Sequence, residues 1–291
     1  MTVTSYFLPS SLAQAIGLLE SHGPSLMVMA GGTVAMPLVN EGISLPEKVM
    51  GLRRAGLDGL TEVDGGLRIG ATVTLTRLLG QTTIPMLSEA ARCTASWSIR
   101  NMGTVGGNLF TPPPGGDVAV ALLALDAELT LTGPAGERAV PLSAFYTGFM
   151  TNVLRDDELL TAIRVPAVLG ETSYVKFGRK QASTPAVVTV GVRVTRDGGT
   201  VRGARIALGA AGPHPMLARD AERAIVGSTL GDAALDEAAA AAERECEAFS
   251  DGVASEWYRR RMVRLFVRRA LERLREPELR QRLEPGAGEG Q

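Results

Sequence analysis

Between Ile99 and Asp117 the chain reads Ile-Arg-Asn-Met-Gly-Thr-Val-Gly-Gly-Asn-Leu-Phe-Thr-Pro-Pro-Pro-Gly-Gly-Asp. No other stretch limits the fold so strongly. It holds five glycines and three consecutive prolines. Proline removes a backbone donor and fixes φ, and glycine costs entropy inside regular elements, so neither a helix nor a strand suits it. The stretch is expected to form a shaped loop between apolar elements. Before it, Thr76 to Ala95 carries helical periodicity interrupted near Pro85; after it, Val118 to Leu125 reads as helical or buried.

A second glycine pair lies upstream. Ser25-Leu-Met-Val-Met29 is an apolar run of strand length that stops at Ala30-Gly31-Gly32-Thr33, and a short helical pattern runs from Val34 to Val39. Strand, glycine turn and helix make a βα unit, in which the glycines admit a close backbone approach and the helix start offers unpaired N–H groups to an anion. A plain tight turn would read the same way. In Gly103-Thr104-Val105-Gly106-Gly107-Asn108, successive amides form an anion-binding nest, with Thr104 and Asn108 adding side-chain hydrogen bonds. Neither segment matches G-x-G-x-x-G or the G-x-x-x-x-G-K-[ST] phosphate loop, so nicotinamide-type Rossmann binding and NTP hydrolysis lack their fingerprints. Two glycine cradles do suit a ligand with a pyrophosphate.

The rest of the chain narrows the class. Its 291 residues give a prior of two domains. The 30 Lys+Arg and 31 Asp+Glu nearly cancel, which argues against a nucleic-acid binder. Two cysteines, Cys93 and Cys246, fall short of the four thiolates an iron–sulfur cluster needs, and His22 and His214 exclude a multi-histidine metal site. No apolar run has the length of a membrane span, and Met1–Ser10 lacks the pattern of a secretory signal, so the protein is expected to be cytoplasmic. Pro9-Ser10 opens an amphipathic helix with Leu12, Ile16 and Leu19 on one face; Leu67–Ala71 and Glu128–Thr132 alternate as strands. Later strands are expected at Tyr174–Phe177, Ala186–Val194 and Val201–Leu208, with Asp197-Gly198-Gly199 as a hairpin turn. Two helices follow: Asp232 to Phe249, in a stretch of net −6 through Asp251, and Ser255 to Arg275, overlapping residues 258–282 at net +7. Their opposite charges imply mutual compensation or a partner surface. By pattern alone Lys176 is a solvated surface lysine, Leu160 a core leucine, and Trp97 and Phe110 packing residues. Asp117 caps the helix beginning at Val118 or serves a ligand, and Arg100 supports a phosphate or a carboxylate.

Met29-Ala-Gly-Gly-Thr33, taken with Ile99-Arg-Asn-Met-Gly-Thr-Val-Gly-Gly-Asn108 and Asp117, resembles the FAD-binding medium subunit of molybdenum hydroxylases of the xanthine dehydrogenase and aerobic carbon monoxide dehydrogenase type. Leu159-Leu-Thr-Ala-Ile-Arg-Val-Pro166, Tyr174-Val-Lys176 with Arg179, Arg205-Ile-Ala-Leu-Gly209, Ala221-Glu222 and the Tyr-Arg-Arg of the last helix agree in order, so the resemblance runs from about Tyr6 to Leu274. It implies an α/β (α+β) chain. A two-lobed, PCMH-type FAD-binding domain would occupy residues 1–168, with lobes of about 1–57 and 58–168, and a smaller α+β domain with a three-stranded antiparallel sheet would occupy 169–277. A flexible tail would cover 278–291.

The resemblance further implies that Ala30, Gly31, Gly32, Thr33 and Val34, together with Thr104, Val105, Gly106, Gly107 and Asn108, hold the pyrophosphate and adenosine half of non-covalent FAD. Asp117 would accept from FAD hydroxyls, Leu160 would line the isoalloxazine pocket, and Lys176 would approach the ring. Three places depart from the family pattern: Val34 replaces a polar residue, Gly115-Gly116 an Ala/Ser, and Ser183-Thr184-Pro185 a phenylalanine–acid pair. No side chain need act as acid, base or nucleophile, because the flavin carries the electrons. A small subunit with [2Fe–2S] clusters and a large molybdopterin subunit would complete a dimer of heterotrimers. Electrons would pass to NAD, oxygen or a quinone. A self-contained FAD oxidase of the same fold and a non-catalytic assembly protein that has lost FAD are the rival readings.

Overall fold

The short apolar run before the first glycine pair forms the strand Leu26–Met29, which pairs in parallel with Lys48–Gly51; that strand pairs in turn with Ser5–Phe7. The computed structural model describes residues 3–180 and 183–276, so the tail expected at 278–291 lies outside the described residues. Helix Leu12–His22 starts at Ser11, whose hydroxyl accepts from the Gln14 amide, and it buries Ala15, Ile16 and Leu19 with Leu26 and Met50 of this sheet. A second, antiparallel sheet follows in the order Leu60–Val63, Gly66–Gly70, Leu159–Val165, Glu128–Gly133 and Gly136–Pro141.

Part of the proline- and glycine-rich stretch is helical. Val105–Leu109 makes one turn, which a loop-only expectation excluded. The Thr104 hydroxyl caps it by accepting from the Gly107 amide at 3.0 Å, while the Val105 and Gly106 amides donate to Val73 and Ala71 of the neighbouring chain. A single capped turn asks little of helix propensity, and a Cβ at Gly106 would sit 2.6 Å from the Ala71 carbonyl oxygen, so glycine is what lets it pack there.

Helix Asp117–Ala124 is apolar all round after its first residue, and every residue in it is buried. It packs against a third sheet, antiparallel in the order Glu171–Gly178, Ala186–Asp197, Thr200–Gly209 and Met216–Leu217. That sheet has four strands where three were expected; the fourth is a two-residue edge, too short to leave a periodic signal. Gly198 and Gly199 both take positive φ, as the expected hairpin requires. Helices Arg219–Ile225, Asp232–Glu245 and Glu256–Arg275 belong to the same core. The last two compensate one another: Arg268 pairs with Asp232 and Asp236, Arg264 with Glu243, and Arg275 with Asp232.

The buried helix is tied to this sheet by polar contacts as well. Lys176 on Glu171–Gly178 donates to Asp117 Oδ2 at 2.7 Å, Thr189 to Asp117 Oδ1 at 3.1 Å, and the Tyr174 hydroxyl to the Asp117 carbonyl at 3.0 Å. Both side chains of the ion pair are less than a tenth exposed.

Two stability measurements check this packing. A Cβ at Gly209 would overlap a Val120 methyl, whereas one at Gly17, inside Leu12–His22, meets nothing. Urea denaturation should show Gly209→Ala destabilised by about 1–3 kcal/mol and Gly17→Ala stabilised by about 0.5–1 kcal/mol. For the ion pair, Asp117→Asn and Lys176→Met should each cost about 3–5 kcal/mol, because each strands a buried charge or its partner. The double variant should lose less than the sum; strict additivity would mean that the pair is not coupled.

Candidate functional site

A cavity of about 610 Å³ opens where the three sheets meet. Met27–Met29 and the first glycine turn form one wall. Ala71, Leu159 and Leu160 come from the second sheet, Lys176 from the third, and Gly103 to Asp117 runs along the remainder. The two glycine segments touch backbone to backbone: a Cβ on Gly31 would overlap the Met102 carbonyl, and one on Gly103 would lie 3.4 Å from Thr33 Oγ1.

Ala30, Gly31, Gly32, Thr33, Val34, Thr104, Gly106, Gly107, Asn108, Asp117, Leu160 and Lys176 all line this one cavity. Val105 does not; it is fully buried among Val73, Leu75 and Leu109 in the core behind it. The two segments present different surfaces. Among the described residues the amides of Gly31, Gly32, Thr33 and Val34 donate to no backbone or side-chain acceptor, and Gly32 turns with φ of 72°. Those are the free donors of an anion cradle. In the second segment the amides of Gly103, Val105, Gly106, Gly107 and Asn108 are all spent inside the protein, on Ile99, Val73, Ala71, Thr104 Oγ1 and Thr104 O. Asn108 Oδ1 accepts from the Ala119 amide at 3.1 Å. Of this segment only the Thr104 amide lacks an acceptor among the described residues, so the second segment is mostly bonded inward and is not the amide nest expected of it.

Several sequence readings change. Asp117 is the first residue of its helix and not the cap, which is Gly116 with φ of 84°; its carboxylate instead accepts from Lys176 and Thr189. Burial pushes the Asp117 carboxyl above the usual carboxylate range, against the pull of Lys176 and Thr189. Lys176 is no surface lysine. Its ammonium also donates to the Cys93 carbonyl at 3.0 Å, which leaves one of its three donors without an acceptor among the described residues. Arg100 pairs with no carboxylate among the described residues; its Nη1 donates to the carbonyls of Arg92, Thr94 and Ala95. Trp97 is 70% exposed instead of packed, and Phe110 lines the cavity edge-on to Phe145. Burial raises the Cys93 thiol, in keeping with a residue given no chemistry.

The structure adds cavity residues that sequence reasoning passed over, chiefly Thr94, Ile99, Thr111, Glu158 and Thr184. Glu158 adjoins the Leu159–Pro166 segment quoted above and would have been found by asking what charge precedes that strand. Its carboxylate is gripped by the Arg138 fork at 2.7 and 2.6 Å and by the Arg155 amide at 2.9 Å. The Arg138 hydrogen bonds hold it below the usual range. Among the described residues no cluster of His, Cys, Asp and Glu could hold a metal ion, and no helix is long and apolar enough to cross a membrane.

Residues 2–168 match the family described as FAD binding domain in molybdopterin dehydrogenase, and residues 172–274 match the CO dehydrogenase flavoprotein C-terminal domain. The chain is 34% identical over 275 residues to the carbon monoxide dehydrogenase medium chain of Afipia carboxidovorans, covering 92% of this chain and 95% of that one. It is 28% identical over 276 residues to the xanthine dehydrogenase FAD-binding subunit of Escherichia coli O157:H7, covering 92% and 94%. Among solved structures, a chain of reconstituted CO dehydrogenase from Oligotropha carboxidovorans superposes with a TM-score of 0.90 at 34% identity, over 94% of this chain and 98% of that one. A chain of quinoline 2-oxidoreductase from Pseudomonas putida 86 gives 0.89 at 26% identity, over 95% and 98%. With both halves of the chain matched and the cavity lying where they meet, the protein belongs to the family of FAD-binding medium subunits of the CO dehydrogenase and xanthine dehydrogenase type.

Proposed function

We propose that this chain is the FAD-binding electron-transfer subunit of a heteromeric molybdenum-containing hydroxylase or dehydrogenase. The observation that carries the reading is the free amide run Gly31–Val34 facing a cavity that also takes in Asp117, Leu160 and Lys176. The donor set fits the cofactor. Among the described residues Asp117, Glu158 and Lys176 are the only charged ones lining the cavity. A pyrophosphate would therefore be held by backbone N–H groups, not by arginines, and charge-assisted bonds of that kind contribute about 1.5–3 kcal/mol each. Thr104, Gly106, Gly107 and Asn108 would wall the adenosine half, and Asp117 would accept from hydroxyls of the cofactor. Leu160 would pack on the isoalloxazine, with the spare donor of Lys176 close to it. Among the described residues no His or Cys lines the cavity, so none of them would tether the flavin covalently.

FAD, when bound, supplies the electron-transfer chemistry; the chain binds it, orients it and sets the charge around it. Its protons and electrons come from elsewhere, since the cavity holds no acid–base pair free of structural partners: Asp117 is tied to Lys176, and Glu158 to Arg138. In the assembly a large molybdopterin subunit would oxidise the substrate and a small [2Fe–2S] subunit would relay electrons to this chain. The chain would pass them to NAD, oxygen or a quinone, in a cytoplasmic dimer of heterotrimers.

Purified protein should be yellow and release one FAD per chain into the supernatant on acid precipitation. Gly107 lines the cavity, and its added Cβ would meet only Thr104 Oγ1, at 2.9 Å. Gly107→Val should therefore keep the far-ultraviolet circular dichroism of the parent while losing nearly all bound flavin. Flavin left in the pellet, or full occupancy in Gly107→Val, would contradict the reading.

A further inference from the structure

The cavity's three charged residues are arranged unequally. Asp117 and Lys176 both line the cavity and face each other at 2.7 Å, so to the cavity they present a compensated pair. Glu158 also lines it, but its counter-ion does not: Arg138 and Arg155 are absent from the lining and grip the carboxylate from the protein side. Arg138 is fixed in that place by a further bond to the Val153 carbonyl at 2.8 Å. The cavity lining thus carries two unlike features: amides without acceptors at Gly31–Val34, and the 6% exposed Glu158 carboxylate, next in sequence to Leu159 and Leu160. Because the carboxylate lines the cavity and Arg138 does not, the pair presents its negative side to the cavity even though Arg138 offsets part of its field.

From this arrangement we infer that Glu158 is a potential-setting residue: its fixed negative charge in the cavity lining, two residues from Leu160, disfavours electron uptake by the bound ring and holds the flavin at a lower reduction potential. The inference rests on the FAD reading above and on Leu160 lying against the ring. Reduction adds negative charge to the isoalloxazine, so a nearby anion raises the energy of the reduced form relative to the oxidised one. The Arg138 fork, the Arg155 amide and the Val153 anchor are then the devices that keep Glu158 charged and pointed at the cavity. Lys176 has less influence than a lone lysine would, because Asp117 cancels it at close range.

The test is a redox titration of flavin-loaded protein, followed by visible absorption, for the parent, Glu158→Gln and Glu158→Asp. Glu158→Gln keeps the shape and removes the charge; Glu158→Asp keeps the charge and disturbs the fork. The potential should shift positive in Glu158→Gln and stay near the parent value in Glu158→Asp, with one FAD per chain in all three. A larger shift in Glu158→Asp than in Glu158→Gln would assign Glu158 a structural role only. Equal potentials in all three, with full flavin, would also overturn the inference. A parent protein that takes up no FAD would overturn the functional reading itself, and so is told apart from either. If Glu158→Gln folds poorly, Arg138→Gln tests the same point. It strands the carboxylate, and the potential should then fall more steeply with pH than in the parent across the freed carboxyl's titration, on top of the pH dependence that flavin reduction itself carries.

Discussion

Everything at the site depends on one close approach: the turn at Gly31 lies against the Met102 carbonyl with no room for a side chain between them. The first segment leaves a strand of the parallel sheet and the second joins two helices of the five-stranded layer, so this contact brings two separately built units together. A methyl group at Gly31 would have to push them apart, because the obstacle is backbone. The contact also divides labour. The second segment, with all but the Thr104 amide bonded inward, walls the cavity that the first segment lines with amides lacking an acceptor among the described residues.

Burial of a helix with one charged residue imposes the second constraint. Asp117–Ala124 is embedded, and the carboxylate at its start must be met by donors. Lys176 and Thr189, both from the third sheet, supply them, so the sheet that bears Lys176 is held in register with the cavity by the cost of leaving Asp117 alone. The electrostatic design that results has few charges. Anionic groups of a ligand would meet neutral N–H dipoles, which cannot be titrated away, and Glu158 lines the same cavity with its counter-ion Arg138 outside the lining.

How much of this was legible beforehand follows from chemistry at particular residues. The strand before Gly31, the two compensating helices at the end of the chain, and the hairpin at Gly198-Gly199 announce themselves through periodicity, charge and turn chemistry. The glycine segments were visible as cradles, yet sequence does not say which amides are already used. For Val105 and Gly106 that is decided by Val73 and Ala71, well upstream in the chain. Lys176 reads as a surface lysine because alternation along a strand is blind to a helix packed on it from elsewhere. Val105 was included with its neighbours because the motif is contiguous, whereas a one-turn helix necessarily sends one of its residues inward. Glu158 was passed over because its meaning comes from Arg138, on the far strand of the second sheet.

The claim that free amides at Gly31–Val34 bind a pyrophosphate is tested most directly by titrating flavin-free protein with FAD and with FMN, following quenching of flavin fluorescence. FMN carries the ring but only one phosphate, and two lost charge-assisted hydrogen bonds amount to about 3 kcal/mol or more. FAD should therefore bind at least about 100-fold more tightly than FMN. Equal affinities would contradict the account, since the ring alone would then be what the cavity recognises.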